Sequence, residues 1–309
     1  MVTLCVTHLS SLQHLTGTGS AERPERIAVV QEALGDASFM SLHRMEAPEA
    51  RFEMLSRAHL PDYVDEIIRV APTEKFHRLD GTTVMSPGTL EAAMRAAGAA
   101  VLCVDEVMSG RVQNAFAAMR PPGHHAHYSK SGGGCIFNNA AVAARHAQAV
   151  HGARKVAIVD FDVHHCDGTQ DIFWSDPDVM VCSTHERPLY PGTGGPAERG
   201  THNQIVNVAL RAGDSGKAFH AAYADIILPR IAAFGPDLIV LSAGFDAHHR
   251  DRLSHIELHE DDFGAVTVAL MTLARSVCDG RIVSILEGGY DLAGLSLSVR
   301  AHVRRLMGE

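Results

Sequence analysis

What most constrains this chain is an alternation of short β-rich runs with longer stretches of helical period. The runs are Leu4–Thr7, Asn114–Met119, Val156–Phe161, Val179–Ser183, Ile205–Val208, Leu238–Ser242 and Ile282–Leu286. Several have no polar alternation, so both faces of these strands are expected to be covered, as in a parallel sheet clad by helices. Helices are expected over Glu25–Leu34, Pro61–Arg69, Thr89–Ser109, Asn139–Val150, Lys217–Phe234, Glu260–Cys278 and Leu292–Leu306. Pro24 just ahead of Glu25 and Arg26 is a natural helix start. The order is βαβ, which makes the fold class α/β with a mainly parallel sheet. No linker, charge run or low-complexity stretch divides the 309 residues, so residues 1–309 are expected to form a single domain.

Composition removes several function classes. With 46% hydrophobic and 20% charged residues the chain is not a disordered one. A formal net charge of −9 argues against nucleic acid as a partner, because phosphate contacts need clustered Lys and Arg. No apolar run reaches the roughly 18 residues of a membrane span, and the first residues do not read as a signal peptide. The 6 cysteines are scattered without a CxxC pair, as in a reducing compartment, so a cytoplasmic location is expected. The sequence leaves the oligomeric state open.

Four polar segments begin where an apolar run ends: Arg120–His125, Asp160–His165, Ala243–His249 and Glu287–Asp291. In open α/β sheets, sites form beyond the carboxyl ends of the strands. If Asp160–His164 stays extended, Asp160, Asp162 and His164 share one face. Asp162 and His164 then suit zinc, although an isolated DxH is more often a buried ion pair. Asp246, after another buried strand, supplies a second carboxylate; alone it would read as a cap or turn residue. Two carboxylates and one imidazole leave a coordination position open, as a catalytic site requires. His124 and His125 follow a rigid Pro-Pro-Gly turn, and Asp160 and Asp167 could fix their tautomers. Tyr290 stands behind a glycine pair, either packed at a tight turn or placed to donate to an oxyanion.

Taken together, Arg120–His125, Cys135–Asn139, Asp160–Gln170, Pro191–Gly194, Ser242–Ala247 and Glu287–Leu292 resemble the zinc-dependent histone deacetylase family in order and spacing. The EGGY block and the Glu22–Arg26 segment look closer to class II and bacterial amidohydrolase members. The resemblance implies a single-domain arginase–deacetylase fold and removal of acetyl or short acyl groups from acyl-lysine. It implies zinc on Asp162, His164 and Asp246, with Fe²⁺ an alternative metal. His125, oriented by Asp167, is implied as general base toward the attacking water, and His124, paired with Asp160, as an electrostatic or proton-shuttling partner. Tyr290 would polarise the carbonyl. Structural potassium is implied at Asp160, Asp162, His164, Ser183 and Thr184, and a second K⁺ near Phe173, Asp176 and Val179.

Two positions depart from the family pattern. Cys166 replaces the usual glycine after the paired histidines, which restricts the backbone and brings a thiol near the site. Gly134 stands where an aromatic usually walls the substrate channel, while Tyr190 keeps the opposite ring. One wall then lacks a ring, and either tolerance of bulkier acyl groups or weak activity on simple acetyl-lysine is expected. Leu253 is apolar where polyamine-preferring relatives place an acidic gatekeeper, which favours acyl-lysine over acetylpolyamines or other small acylated amines. A catalytically silent acyl-lysine binder would lack a ligand or the tyrosine, and a dimanganese ureohydrolase would need further Asp and His ligands.

Overall fold

The computed structural model describes residues 2–309. In chain order the elements are β1 (Thr3–Thr7), α1 (Glu25–Leu34), β2 (His43–Glu46), α2 (Phe52–Leu55), α3 (Pro61–Val70), β3 (His77–Arg78), β4 (Val84–Met85), α4 (Thr89–Met108) and β5 (Asn114–Ala117). They continue with α5 (Asn139–His151), β6 (Val156–Asp160), α6 (Asp167–Ile172), β7 (Val179–Glu186), β8 (Ile205–Leu210), α7 (Gly216–Ala222), α8 (Leu228–Phe234), β9 (Leu238–Ala243), α9 (Glu260–Val277), β10 (Ile282–Leu286) and α10 (Leu292–Met307). Eight strands form one sheet in the order β2-β1-β5-β10-β9-β6-β7-β8. Every pairing in it is parallel.

The unbroken apolar runs have a direct cause. Leu4, Val6, Ala115, Ala117, Ile158 and Val240 point into a layer shared with α3, α4 and α5. Cys5, Phe116, Val159, Ile239 and Leu241 point into the opposite layer, shared with α1, α9 and α10. Alternation is present, but both faces meet apolar helices, so the period does not show in the sequence. Gly98 of α4 lies against the segment between β2 and α2, where a Cβ would sit 1.9 Å from the Pro48 carbonyl oxygen.

The four polar segments follow β5, β6, β9 and β10, which are the four neighbouring strands at the centre of the sheet. Their carboxyl ends therefore deliver all four segments to one place. Elsewhere the expectations need adjustment. β2 is an edge strand of mostly exposed polar residues, so it has no apolar run to betray it. α6 has one turn and a half and no periodic stripe. The expected helix Lys217–Phe234 is interrupted by a π-turn over Tyr223–Ile227, just before Pro229, whose missing N–H cannot continue the regular ladder. The strands expected to reach Met119 and Phe161 stop at Ala117 and Asp160.

Candidate metal centre

Asp160 is the last residue of β6, and the chain beyond it does not stay extended. The Asp162 N–H donates to Asp160 Oδ1 at 3.0 Å, and the His164 N–H donates to Asp162 Oδ1 at 2.9 Å. Two successive side-chain-to-backbone turns, not a shared strand face, thus present these groups, which corrects the extended-face expectation. Asp246 enters from the loop after β9, and its Oδ1 accepts from the Val163 N–H at 2.8 Å. His164 Nδ1 lies 3.0 Å from Asp162 Oδ1 and 3.1 Å from Asp246 Oδ2. One donor atom from each of Asp162, His164 and Asp246 falls within 4.8 Å of the others.

The cradle around these atoms admits only glycine. A Cβ at Gly244 would lie 2.1 Å from Asp162 Oδ2, and one at Gly288 would lie 2.2 Å from Asp246 Oδ2. Burial and the neighbouring Asp162 charge raise the Asp246 carboxyl. Burial lowers the His164 imidazole, but its bonds to Asp162 and Asp246 outweigh that and push it up to about 10. Two buried carboxylates thus hold a proton on the imidazole between them. A divalent cation taking oxygen and nitrogen donors would supply the same compensation, so the donor set fits such an ion.

Beside this cradle lie the paired histidines. His125 Nδ1 is 2.6 Å from Asp167 Oδ1, and His124 Nδ1 is 3.0 Å from Asp160 Oδ2. Burial, then the adjacent His124 charge, lower His125 to about 4. Burial also lowers His124, but Asp162, Asp160 and Glu287 overcome it and hold that ring protonated. One ring is thereby neutral and the other cationic, at a centroid separation of 4.0 Å. Tyr290 stands opposite, its ring 6.4 Å from that of His164, and burial keeps its phenol protonated. The Tyr290 and Asp291 N–H groups donate to Asp251 Oδ2 at 2.6 and 3.0 Å.

A cavity of about 240 Å³ leads to these groups, walled by His125, Gly133, Gly134, Tyr190, Leu253 and Tyr290. The Tyr190 ring is 5.0 Å from that of His125. Gly134 has φ +79, and a Cβ there would meet only Glu22 Cγ at 4.0 Å, so this wall does lack a ring. Cys166 needs no glycine-like backbone, with φ −77, and its buried thiol is held well above its usual range by desolvation. It therefore brings neither strain nor a reactive thiolate. All 6 cysteines are free and buried.

The residues assigned to potassium are less uniformly placed. Ser183 pairs with Asp160 across β6 and β7, its Oγ lying 2.9 Å from His185 Nδ1. The Thr184 hydroxyl is 3.5 Å from that of Tyr223. Near Val179, the Asp176 carboxylate is taken by Arg145, and the Phe173 carbonyl accepts from Gln204 Nε2 at 2.8 Å.

Several supporting residues were not identified from sequence. Arg26 is fully buried; its Nε donates to the Gly289 carbonyl at 2.6 Å, its Nη2 to that of Glu287, and its Nη1 to Glu22 at 3.0 Å. Arg120 pairs with the same Glu22 carboxylate. Glu287 Oε2 accepts from the Gly123 and His124 N–H groups at 2.7 and 3.2 Å, fixing the histidine turn to β10. Both Arg26 and Glu287 sit inside recognised motifs, but no local signal marks a residue as buried among backbone carbonyls. A second cluster joins Asp105 to His146 and His151, each 2.7 Å away. Arg57 donates to His146 Nδ1 at 3.1 Å, leaving the proton on Nε2, so this cluster is a hydrogen-bonded staple between α4 and α5.

The chain is similar to known proteins over most of its length. A family profile described as Histone deacetylase domain matches residues 20–306. Histone deacetylase 14, chloroplastic, from Arabidopsis thaliana is 40% identical over 74% of the chain, which spans 56% of that relative's length. Histone deacetylase-like amidohydrolase from Pseudomonas aeruginosa is 33% identical, with 99% of this chain and 84% of that one covered. The crystal structure of the HDA15 HD domain superimposes with a TM-score of 0.94 at 34% identity, covering 100% of this chain and 88% of that one. No helix among the described residues is long and apolar enough to cross a membrane.

Proposed function

The chain belongs to the histone deacetylase family, and on that premise we propose that it is a zinc-dependent amidohydrolase removing acetyl or short acyl groups from acyl-lysine side chains. The observation carrying this reading is the convergence of Asp162, His164 and Asp246 in a glycine-walled cradle, with His164 opening onto a cavity of about 240 Å³. Three protein ligands of mixed oxygen and nitrogen type are what a catalytic zinc takes. When bound, the ion lowers the pKa of water toward about 7 and polarises the amide carbonyl.

The chain's own residues would supply the proton chemistry. Asp167 accepts a hydrogen bond from the His125 Nδ1–H, so the neutral ring presents an unprotonated Nε2 and accepts a proton from the attacking water. His125 then returns that proton to the departing lysine amine. His124, kept cationic by Asp160 and its other carboxylate neighbours, favours negative charge developing at the reacting carbonyl. The protonated Tyr290 phenol donates to the oxyanion. Tyr190 and Leu253 cover the lysine methylenes, and the open side at Gly134 leaves the channel wide there. Structural K⁺ belongs to the same proposal: the pairing of β6 with β7 brings Asp160 and Ser183 together, and a gain in melting temperature with K⁺ over tetramethylammonium tests it.

The decisive experiment reconstitutes the protein with Zn²⁺ or Fe²⁺ and follows hydrolysis of acyl-lysine peptides and acetylpolyamines, with His125→Ala as control. Acyl-lysine turnover that depends on metal and on His125 is expected. A His125→Ala protein as active as its parent, or a metal-loaded parent inert on every acyl-lysine peptide, would overturn the proposal.

A further inference from the structure

Next to this channel lies a broad groove of about 1300 Å³, and Ser20, Ala21 and Tyr290 line both. Chain flanking a residue inserted toward His125 and His164 has this groove beside it. Arginines from three separate parts of the chain stand on its walls: Arg23 ahead of α1, Arg78 at the end of β3, and Arg252 in the loop after β9. The side chains of Arg23 and Arg252 make no ion pair or hydrogen bond among the described residues. Arg78 donates only to the carbonyls of Asp80 and Gly81, at 3.5 and 3.1 Å. Glu25 is the one carboxylate among the lining residues. The chain as a whole carries −9, so a cationic mouth is contrary to its average surface.

Resting on the deacylase reading above, we propose that this groove selects acyl-lysines flanked by acidic residues, and that Arg23, Arg78 and Arg252 bind the flanking carboxylates. A guanidinium presents a planar fork of donors matched to a carboxylate. The groove is several times larger than the channel, and its cations are spread over different walls. That arrangement suits chain extending on both sides of the inserted lysine better than one small ligand. The same charges repel polycationic substrates, which sets the rim against acetylpolyamines and against lysine- and arginine-rich tails alike. Leu253, apolar at the channel mouth, offers such cations no counter-charge.

The test uses three peptides with one central acyl-lysine, flanked by Asp and Glu, by Gly and Ser, or by Arg and Lys. kcat/KM is measured for each at low and moderate salt, with the parent and with Arg23→Gln/Arg78→Gln/Arg252→Gln. The expected order in the parent is acidic, then neutral, then basic. Each arginine should contribute about two- to fivefold to the acidic preference, and salt should erode it because exposed charges are screened within about 8 Å at physiological ionic strength. In the triple variant the acidic-to-basic ratio should fall toward unity. A parent that turns over all three equally, or prefers the basic peptide, would overturn this inference and leave the deacylase assignment standing. Fluorescence anisotropy with the same three peptides reads the order without turnover. If no peptide is hydrolysed, the function fails, while an acidic preference in binding that vanishes in the triple variant would still uphold the groove's role.

Discussion

Replacing Arg26 by Met keeps an apolar stem and removes only the charged head, which isolates what that head does. The guanidinium is fully buried, touches the carbonyls of Glu287 and Gly289, and stands 4.8 Å from the centre of the Tyr290 ring. Two buried carbonyls lose their donor, at about 1–3 kcal/mol each. Glu22 keeps Arg120 and His14 as partners, so the full penalty of an isolated buried charge is not incurred. Together with the lost contact to the ring, the cost to stability should be about 3–8 kcal/mol. For catalysis the ceiling is the loss of an oxyanion donor, about 10²–10³ in kcat. Asp251 still holds the Tyr290 and Asp291 N–H groups, so the turn is loosened and not released, and kcat should fall roughly 10–100-fold. The assay is kcat and KM on one acyl-lysine peptide for Arg26→Met, Tyr290→Phe and the double variant, with bound zinc measured in each. If Arg26 acts by positioning Tyr290, the double variant is hardly slower than Tyr290→Phe alone. Multiplicative losses, or an Arg26→Met protein with parental kcat, would refute the argument.

Other consequences can be checked separately. Asp246→Asn should weaken zinc by more than about 100-fold, read by competition with a chromophoric chelator; unchanged affinity would remove Asp246 from the ligand set. Glu287→Ala orphans the Gly123 and His124 N–H groups and should cost about 2–4 kcal/mol in urea unfolding, whereas Glu287→Gln retains an acceptor and most of the stability; equal losses would count against the clamp. Burial lowers His59 to about 4, His185 to about 3 and His302 to about 3. Each is neutral when folded and takes up a proton near 6.5 when unfolded, so their contribution is intact above that pH and declines as pH falls. From pH 6.5 to 5 each should remove about 1.6 kcal/mol, and an unfolding free energy constant over that window would contradict the burial argument. The missing ring at Gly134 predicts that acetyl, propionyl and butyryl peptides differ by less than about fivefold per added methylene; the steeper loss of an overpacked pocket would defeat it.

What could be read beforehand, and what could not, follows from the range of the interactions involved. Burial on both faces shows in the central strands as largely apolar runs, such as Val156–Asp160 and Leu238–Ala243, so strands covered on both sides are legible from the sequence. β2 was not, because an edge strand with exposed His43 and Arg44 obeys no such pattern. At the site, Asp162, His164, Asp246, His125 and Tyr290 follow strands that prove to be neighbours, so strand ends sufficed to bring them together. The manner of presentation is not legible, because whether the chain after Asp160 continues a strand or turns depends on which backbone N–H its carboxylate takes, a choice that alternation cannot register. Arg26, Glu22 and Arg120 were out of reach for a different reason: their energetics depend on being desolvated together, and Glu22 and Arg120 lie 98 residues apart. An arginine at the head of a helix looks solvated until Gly289 is known to pass beside it. The same blindness hid Arg23, Arg78 and Arg252, which are unremarkable one at a time and become a cationic rim only when three distant segments share a groove. Residues that bind through a local motif are thus visible in the chain, whereas those that act by sharing an enclosure are visible only in the fold.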